Sequence, residues 1–316
     1  MRTQNRHRIR SRIEKHVPKS YYLVKNPENT TQIFNQYRAL LFSIAYRMLG
    51  SATDAEDIVQ EAFLRWLQAS DEEIQSPKAF LSTVVTRLCI DQLRSARAQR
   101  EQYVGPWLPE PIPTDQRQDL TETVILAESL SFAFLVMLES LGPLERAVFL
   151  LREVFDYDYA EIAAIVGKSE AYCRQVLHRA RQHLKQRRPR FEVSREQQER
   201  ITSQFLRASL GGDMQGLLNL LAEEVVFAAD SGGKAWAGLK PVHGADKVAR
   251  GVLGGRRFLP PGIQGSIEEV NGRPAIVGYV DGRPVIVLLL HIEGERIRSI
   301  YQVVNPDKLH WLSRQQ

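Results

Sequence analysis

Hydrophobic residues in the first hundred positions recur at helical spacing and are interrupted by glycine or helix-capping residues. Residues 34–49 (FNQYRALLFSIAYRML) follow this spacing and precede Gly50, which predicts a helix with a glycine C-cap. A second helix begins after Ser51, and a third opens with Ser76 as N-cap and Pro77 at the first helical position. The predicted buried stripe of the second helix comprises Ala55, Ile58, Val59, Ala62, Phe63 and Trp66. These helices indicate an all-α unit near the start of the chain.

A proline-rich segment follows the third helix. Four prolines fall between positions 106 and 113, and proline cannot continue a helix because it lacks the backbone N–H and clashes with the preceding turn. Within this predicted linker, Trp107 and Leu108 are hydrophobic and need a surface to pack against. Helical spacing resumes at about Leu120 and breaks at Gly142 and Pro143. We therefore expect a domain boundary at the linker.

Residues 144–185 have the pattern of a helix-turn-helix. One helix is predicted over 144–155, a short second helix ends at Gly167, and a basic third helix follows Ser169 as N-cap. Its inward-packing residues are predicted to be Ala171, Val176, Leu177 and Ala180. The side chains then available to DNA are Glu170, Tyr172, Arg174, Gln175, His178, Arg179 and Arg181. Arginine and glutamine suit bidentate base contacts in the major groove, so a DNA-reading helix is favoured over a basic helix of an unrelated bundle.

The last third of the chain has a different pattern. Two helices are predicted over 196–210 and 213–221, and strands dominate from Val225 onward. The pairs Asn271-Gly272 and Asp281-Gly282 separate strand segments and are typical of two-residue hairpin turns. This order predicts an α+β domain with an antiparallel sheet.

Charge is distributed unevenly in this chain of formal net charge +5. Residues 1–30 carry eight basic and two acidic side chains, which predicts a mobile basic tail able to contact phosphates. Residues 110–161 carry eleven acidic against three basic side chains, whereas residues 168–190 carry eight basic against one acidic. The basic surplus therefore coincides with the predicted DNA-reading helix.

Length and composition exclude several classes of protein. At 316 residues the chain is expected to contain two or three domains. The longest strongly apolar run, residues 284–292, is far shorter than the roughly twenty residues that span a bilayer, and no signal peptide is recognisable, so we expect a cytoplasmic protein without a membrane partner. Cys89 and Cys173 have no Cys or His nearby at metal-ligand spacing, which indicates neither a disulfide nor a metal site, and no cofactor is expected.

Together these segments resemble the extracytoplasmic-function (ECF) sigma factors, members of the sigma-70 family of RNA polymerase sigma factors. The segment AYRMLGSATDAEDIVQEAFLRW is similar to sigma region 2.1 to 2.2, SPKAFLSTVVTRLCIDQLRSAR to region 2.3 to 2.4, and residues 144–184 to region 4. The motifs WLPEP (107–111) and NPDKL (305–309) are typical of the SigJ-like, or ECF41-like, subfamily with a C-terminal SnoaL-like domain.

The resemblance implies a multidomain fold: two all-α sigma domains, namely a region 2 helical bundle and a region 4 helix-turn-helix, followed by an α+β SnoaL/NTF2-like cone domain. The expected boundaries are 1–30 for the basic flexible tail, 31–101 for region 2, 102–119 for the linker, 120–190 for region 4 and 195–316 for the SnoaL-like regulatory domain. The implied function is promoter-specific transcription initiation without catalytic activity. The implied partners are the clamp helices and flap of the RNA polymerase core, and promoter DNA.

The resemblance also assigns roles to residues. The polymerase-binding residues on the second helix would be Asp57, Gln60, Glu61, Leu64 and Arg65. The residues that contact and melt the minus-ten element would be Arg87, Asp91, Arg94 and Arg97, with residues 73–79 as the wall of a pocket for a flipped base. The basic helix of region 4 would read the minus-thirty-five element.

The C-terminal domain would regulate the other two domains from within the same chain, by holding them in a chosen arrangement. The implied regulatory residues are Trp107, Asp230, Gly232, Gly233, Lys234, Asn305, Pro306, Asp307, Lys308 and Leu309. The subfamily usually has the sequence D-G-G-G-K where this chain has Ser231 as the second residue, which is tolerable if the backbone there has negative φ.

Three alternatives remain open from the sequence. A SnoaL-like domain can be an enzyme, with polar groups such as Asp230, His243, Tyr279, His291 and Tyr301 lining its cavity. It can also bind a small ligand as a sensor. Finally, the chain can be a helix-turn-helix regulator that binds duplex DNA without polymerase, although such a protein has no need for the acidic helix 54–66.

Overall fold

The computed structural model of the chain describes residues 27–69, 74, 76–100, 103–114, 131–185 and 193–312. Residues 1–26 of the predicted basic tail lie outside these ranges. The helices of the first bundle are α1 (Pro27–Leu49), α2 (Ala52–Gln68) and α3 (Pro77–Arg100). No helix within the described ranges is both long and apolar enough to cross a membrane.

The start and the buried face of α2 follow the sequence pattern. The hydroxyl of Ser51 accepts a hydrogen bond from the backbone N–H of Asp54 at 3.1 Å, and Asp54 lies in the first turn, where the helix dipole favours an acidic side chain. The predicted stripe is buried, except that Phe63 is only partly buried and packs beside Phe34 with ring centroids 4.8 Å apart. The first bundle is therefore the all-α unit that the sequence predicts.

The second helical unit contains α4 (Phe132–Leu138), α5 (Pro143–Glu153), α6 (Tyr159–Val166) and α7 (Glu170–Lys185). Asp158 caps α6, and its carboxylate accepts a hydrogen bond from the backbone N–H of Glu161 at 2.7 Å. Gly167 ends α6 with a φ of 65°, which glycine adopts at little cost. The helix-turn-helix is confirmed.

One predicted core position of α7 is wrong. Ala171 is exposed, whereas Cys173 is fully buried together with Val176, Leu177 and Ala180. At 100° per residue, Ala171 lies on the opposite side of the helix from Cys173. The inward face of α7 therefore begins at Cys173. Cys89 is buried as well, and neither cysteine forms a disulfide.

The C-terminal domain is the predicted α+β unit, with one helix that the sequence analysis did not predict. Its elements are α8 (Arg195–Gly211), α9 (Met214–Leu220), β1 (Leu221–Asp230), β2 (Val242–His243), α10 (Ala245–Gly255), β3 (Gln264–Val270), β4 (Arg273–Val280), β5 (Arg283–Glu293) and β6 (Arg296–Val303). The unpredicted helix is α10, whose three glycines obscure the spacing of its buried residues Val248 and Ala249.

The sheet is mixed and not wholly antiparallel as predicted. The strand order is β2-β1-β6-β5-β4-β3, and β1 is parallel to β6. The hairpin signals concern only neighbouring strands in sequence, and they are confirmed: Asn271-Gly272 and Asp281-Gly282 all have positive φ, as a two-residue hairpin turn of type I′ requires. The β1–β6 pairing joins strands that are distant in sequence. It involves no short connecting turn, so the turn residues could not predict it.

Both faces of the sheet are packed. One face, including Ile276 and Ile300, packs against Phe205 of α8 and Val248 of α10. The other face belongs to a hydrophobic cluster with residues from outside the domain, among them Leu108 of the linker and Phe132 of α4. Alternation along each strand produces this division, since successive side chains point to opposite faces.

The two helical units also pack against each other. The buried guanidinium of Arg146 on α5 donates hydrogen bonds to the backbone oxygen of Met48 on α1 at 2.6 Å and to Glu139 at 2.7 Å. On the other side of this interface, the hydroxyls of Ser82 and Tyr157 lie 2.7 Å apart. The two helical units are therefore in direct contact, an arrangement called closed below, and hydrogen bonds join them at both positions.

The junction between α1 and α2 predicts a clear difference between two glycine substitutions. Gly50 has a φ of +69°, and a Cβ added there would lie 2.8 Å from the Trp107 ring. We expect Gly50→Ala to lower the free energy of unfolding by about 2 kcal/mol or more, since left-handed backbone alone costs about 1–2 kcal/mol for a residue with a Cβ. Urea unfolding followed by far-UV circular dichroism measures the change.

The matched control is Gly251→Ala in α10, where a Cβ would meet nothing within 4 Å. This change is expected to leave stability unchanged or raise it by about 0.5–1 kcal/mol, the usual preference of a helix interior for alanine. Equal unfolding midpoints for the two variants would show that the glycine at position 50 is not required by the Trp107 contact.

Candidate functional site

The predicted polymerase-binding residues share the exposed face of α2. Asp57, Gln60, Leu64 and Arg65 are exposed, and Glu61 is partly exposed and pairs with Arg65 at 2.8 Å. The side chain of Leu64 is 53% exposed and that of Leu67, three residues later, is 46% exposed. The sequence analysis did not single out Leu67, although its position outside the buried stripe was a usable signal. The face thus combines charge with exposed apolar area.

The predicted minus-ten residues on α3 have different surroundings in this structure. Asp91 and Arg94 are exposed and form an ion pair at 3.3 Å. Arg87 instead donates hydrogen bonds to the backbone oxygens of Ile165 at 2.8 Å and Ala164 at 3.0 Å, near the C-terminal end of α6. A guanidinium there satisfies carbonyls that lack helical partners and complements the helix dipole. Arg87 is therefore engaged by the helix-turn-helix.

Two parts of the minus-ten prediction lie wholly or partly outside what the structure describes. Arg97 is on α3, but its side chain is outside the described residues. The predicted pocket wall, residues 73–79, is described only at Ile74 and from Ser76 onward. These assignments stay predictions.

All seven side chains predicted to read DNA from α7 are exposed. Glu170 and Arg174 form an ion pair at 2.8 Å, and the Arg174 guanidinium lies 4.6 Å from the ring centroid of Tyr159 on α6. Arg181 pairs with Glu153 of α5 at 2.6 Å. Surface pairs of this kind are weak, so these arginines exchange partners readily when a phosphate or base edge is offered.

The predicted regulatory residues converge on one buried carboxylate, that of Asp230 at the end of β1. Its side chain is fully buried, and one oxygen accepts hydrogen bonds from the Tyr103 hydroxyl at 2.6 Å and the backbone N–H of Gly232 at 3.1 Å. The other oxygen accepts from the backbone N–H of Leu108 at 2.8 Å and from the ammonium of Lys308 at 2.7 Å. The carboxylate thus joins the linker, the glycine turn and the C-terminal segment.

Lys308 is held from several sides. Its ammonium also donates to the backbone oxygen of Leu108 at 2.5 Å and lies 4.1 Å from the centroid of the Trp107 ring. The side chain is 8% exposed, so its charge is stabilised by the Asp230 carboxylate, a carbonyl and an aromatic face instead of water. Residues of the motifs WLPEP and NPDKL thus form the two sides of one contact.

The glycine turn that follows Asp230 fits closely around this contact. Gly232 and Gly233 have φ values of 55° and 73°, and a Cβ on Gly232 would lie 2.5 Å from the Asn305 amide nitrogen. Asn305 donates to the Tyr103 hydroxyl at 2.9 Å. Ser231 is not among the described residues with positive φ, so the departure from D-G-G-G-K carries no backbone strain. Lys234 pairs with Asp307 at the exposed rim.

Burial and the neighbouring carboxylate keep the Tyr103 phenol protonated. Desolvation raises the pKa of Tyr103, and the hydrogen bond that it donates to the Asp230 carboxylate raises this pKa further. The raised pKa favours the neutral phenol, which donates its proton in a hydrogen bond to the Asp230 carboxylate.

The linker also caps the first bundle, through a residue that the sequence analysis did not name. The buried carboxylate of Glu110, within WLPEP, accepts hydrogen bonds from the Ser51 hydroxyl at 2.8 Å and from the backbone N–H groups of Ala52 at 2.9 Å and Thr53 at 3.1 Å. These are N-terminal groups of α2 that have no helical partner of their own. Glu110 is 59 residues from Ser51, so sequence spacing gives no sign of the contact.

The comparisons with known proteins agree with this architecture. Residues 33–99 match the Sigma-70 region 2 family model, and residues 131–184 match the Sigma-70, region 4 model. The chain is 38% identical over 287 residues to the ECF RNA polymerase sigma factor SigJ of Mycobacterium tuberculosis, covering 87% of this chain and 91% of that relative. The chain belongs to the extracytoplasmic-function sigma factor family.

Two further comparisons extend over nearly the same length. The probable ECF RNA polymerase sigma factor SigI of Mycobacterium tuberculosis is 36% identical over 275 residues, which are 86% of this chain and 92% of that relative. The crystal structure of Mycobacterium tuberculosis SigJ superposes with a TM-score of 0.69 at 35% identity, covering 87% of this chain and 97% of that one. The match includes the C-terminal domain, so the predicted multidomain fold is confirmed.

Family membership decides between a sigma factor and a helix-turn-helix regulator that acts without polymerase. The chain is an RNA polymerase sigma factor that acts in transcription initiation, and a helix-turn-helix regulator without polymerase is not favoured. As a sigma factor, its partners are RNA polymerase and promoter DNA.

The five polar residues of the enzyme alternative are engaged in different contacts in this sigma factor. Asp230 binds Lys308, the Tyr279 hydroxyl donates to Glu268 at 2.8 Å, and Tyr301 packs on Phe132 with ring centroids 5.6 Å apart. His243 is exposed on β2. His291 lies 3.5 Å from Glu293, and burial lowers its pKa. The named residues thus form no common catalytic arrangement in the described chain.

The buried ion pair predicts strong coupling between two residues 78 positions apart in sequence. Asp230→Asn leaves the Lys308 ammonium buried without a countercharge, and Lys308→Met leaves the carboxylate in the same condition. Each single change is expected to cost about 3–5 kcal/mol of unfolding free energy. The double variant should cost clearly less than the sum, because it leaves no unpaired charge. Urea unfolding followed by tryptophan fluorescence measures all three.

The exposed pair Asp246–Arg250, 3.0 Å apart on α10, provides the control. Asp246→Asn is expected to change stability by less than about 1 kcal/mol. If the two buried single changes proved additive, Asp230 and Lys308 would not act as a pair.

Proposed function

We propose that this sigma factor binds polymerase core through the exposed face of α2, contacts the minus-ten element through α3, reads the minus-thirty-five element through α7, and is regulated in cis by its C-terminal domain. The observation that supports regulation in cis is the junction at Asp230, where the C-terminal domain is hydrogen-bonded to the linker between regions 2 and 4.

The α2 face supports the assignment to polymerase. Stable protein interfaces combine an apolar centre with charged residues at the rim. Leu64 and Leu67 supply exposed apolar area, and Asp57, Glu61 and Arg65 supply charge around it. Neither leucine is required for the buried stripe of α2, so the bundle itself gives no reason for their exposure.

The α7 surface supports the assignment to duplex DNA. A recognition helix presents the residues of its N-terminal half to base edges and those further along to phosphates. Arg174 and Gln175 lie in the first half of α7, and Arg179 and Arg181 lie in the second. Both sets are exposed while the helix core is buried. The surface is therefore accessible in the closed arrangement.

The α3 surface supports a regulatory role for closure. Arg87, one of the predicted minus-ten residues, is exposed but hydrogen-bonded to α6 of region 4, so a contact with DNA would have to replace these two hydrogen bonds. The C-terminal domain contacts both regions: the Asn271 amide donates to the Tyr46 hydroxyl of α1 at 2.7 Å, and Tyr301 packs on Phe132 of α4. The domain therefore favours the state in which Arg87 is engaged.

A small ligand of the C-terminal domain is not part of the proposal. Both faces of the described sheet are occupied, one by the helices of its own domain and the other by the linker, α4 and the C-terminal segment. Regulation is instead assigned to the contacts between domains.

The role of the α2 face is tested by replacing one leucine. Leu64→Ser is expected to weaken association with RNA polymerase core at least fivefold, because it removes apolar area from the proposed interface without touching the buried stripe. Fluorescence titration of labelled protein with polymerase core measures the affinity.

Leu210→Ser on α8 is the matched control, since Leu210 is 56% exposed and belongs to the C-terminal domain. This variant should bind core as the unaltered chain does. If Leu64→Ser bound core with unchanged affinity, the proposed interface would have to lie elsewhere.

The regulatory role is tested by removing the C-terminal segment from Asn305 onward. The truncation removes Lys308 and leaves the Asp230 carboxylate without its countercharge, so the contact between the C-terminal domain and the linker is weakened. We expect more transcript per bound polymerase, because regions 2 and 4 separate more easily and release Arg87. Run-off transcription with polymerase core and a cognate promoter measures the yield, and the core titration measures binding separately.

Two further variants separate the effect of the C-terminal segment from that of an exposed ion pair and from that of the whole domain. Glu295→Gln keeps the full chain and removes only an exposed ion pair with Arg200, so it should leave transcription unchanged. Removal of all residues after Ser194 distinguishes the segment from the whole domain. Identical transcript yields from the full chain and both truncated chains would refute regulation in cis, while leaving the sigma function intact.

A further inference from the structure

Two aromatic side chains are stacked on each other at the surface of the C-terminal domain. Trp236, in the loop between β1 and β2, and Phe258, just after α10, have ring centroids 3.4 Å apart and ring planes inclined by 20°. Trp236 is 60% exposed and Phe258 is 40% exposed. Two adjacent aromatic rings exposed to this extent are unfavourable in water, and in folded proteins such a patch commonly marks a binding surface.

The surface around this pair is strongly basic. Residues 234–258 contain six basic side chains and one acidic side chain, Asp246. All six basic residues are exposed: Lys234, Lys240, Lys247, Arg250, Arg256 and Arg257. The Arg257 guanidinium lies 4.6 Å from the centroid of the Phe258 ring, so charge and aromatic area are in direct contact. An anionic and planar partner fits both features at once.

The same surface adjoins the chain segment that leaves α3. Leu239, 61% exposed, lies against the linker: a Cβ on Gly105 would be 3.8 Å from the Leu239 Cα. Gly105 follows Arg100, the last residue of α3, by five positions, a path of at most about 18 Å. The basic aromatic surface therefore meets the linker at a point that is at most about 18 Å of chain from the C-terminal end of α3, the helix proposed to contact the minus-ten element.

We propose that Trp236, Phe258, Lys240, Arg256 and Arg257 form a binding site for single-stranded DNA, with bases stacked on the exposed aromatic pair and phosphates contacted by the basic side chains. Single-strand binding surfaces combine these two elements, because every base has an aromatic face and every linkage carries a charge. The strand itself would be one displaced when the promoter opens, and only this identification rests on the proposed function.

Single-stranded DNA explains more of the observations than an anionic membrane or an acidic peptide does. Both of those partners would be attracted by the basic charge. Neither requires two rings held parallel with exposed area, whereas a nucleic acid base continues such a stack. The surface also contacts the linker that follows α3, the helix proposed to meet the separated strands.

The test measures binding of a fluorescein-labelled oligothymidine of twelve nucleotides to the full chain by fluorescence anisotropy, without polymerase. Trp236→Leu and Phe258→Leu remove an aromatic face but keep apolar volume. Trp236→Phe keeps the face and is the conservative rescue. Leu239→Ala removes an exposed neighbour of similar exposure and is the matched control. The three side chains altered in these four variants are at the surface, and thermal unfolding verifies that each variant is folded.

We expect Trp236→Leu and Phe258→Leu to bind about five- to tenfold more weakly, and Trp236→Phe and Leu239→Ala to bind within twofold of the unaltered chain. Replacing both Arg256 and Arg257 by Gln should flatten the dependence of affinity on salt concentration. Under ultraviolet light, an oligonucleotide that contains 5-bromouracil should become cross-linked to the peptide that contains Trp236.

Three results would overturn the proposal. The first is unchanged affinity in both leucine variants together with no cross-link at Trp236. The second is a dependence on Trp236 that appears only with vesicles of anionic lipid or with an acidic peptide. The third is a preference of more than tenfold for RNA of matching sequence, which would assign the surface to a transcript instead of a DNA strand. None of these results bears on core binding or transcript yield, so the proposed function would stand.

Discussion

The buried carboxylate of Asp230 is the interaction on which the arrangement of this protein depends. A carboxylate without water requires donors on every side, and its donors come from the linker, the glycine turn and the C-terminal segment. Removing any of these groups leaves a buried charge or an unsatisfied donor. The three segments are therefore expected to depend on one another, because each supplies a donor to the same buried carboxylate.

The linker transmits this contact to region 2. Glu110 caps α2, and the hydroxyl of Tyr46 donates to the Glu110 backbone oxygen at 2.6 Å while accepting from Asn271 of the C-terminal domain. Burial raises the pKa of Tyr46, so the hydroxyl keeps its proton and its place in this chain of hydrogen bonds. Helix α2, which carries the proposed polymerase-binding face, thus begins at a cap that is itself hydrogen-bonded, through Tyr46, to the C-terminal domain.

The closed arrangement affects the proposed DNA-binding surfaces unequally. The residues of α7 remain exposed, whereas Arg87 of α3 is hydrogen-bonded to region 4. If the proposed roles hold, duplex recognition by α7 is compatible with this arrangement, whereas contact of Arg87 with the minus-ten element would have to replace its hydrogen bonds to α6. The proposed single-strand site at Trp236 and Phe258 would lie in the C-terminal domain, outside both helical regions.

The sequence by itself determined the local elements and the family. Helical spacing, glycine caps and Asn-Gly or Asp-Gly turns act over a few residues, and for this reason they predicted the helix-turn-helix and the hairpins around Asn271 and Asp281 correctly. The resemblance also pointed to Asp230 and Lys308, but it did not predict that they form an ion pair with each other. Tertiary structure alone decided the pairing of β1 with β6, the cap that Glu110 places on α2 and the engagement of Arg87, because each joins groups between 59 and about 80 residues apart whose spacing follows no period. Contacts of that range depend on how whole domains pack.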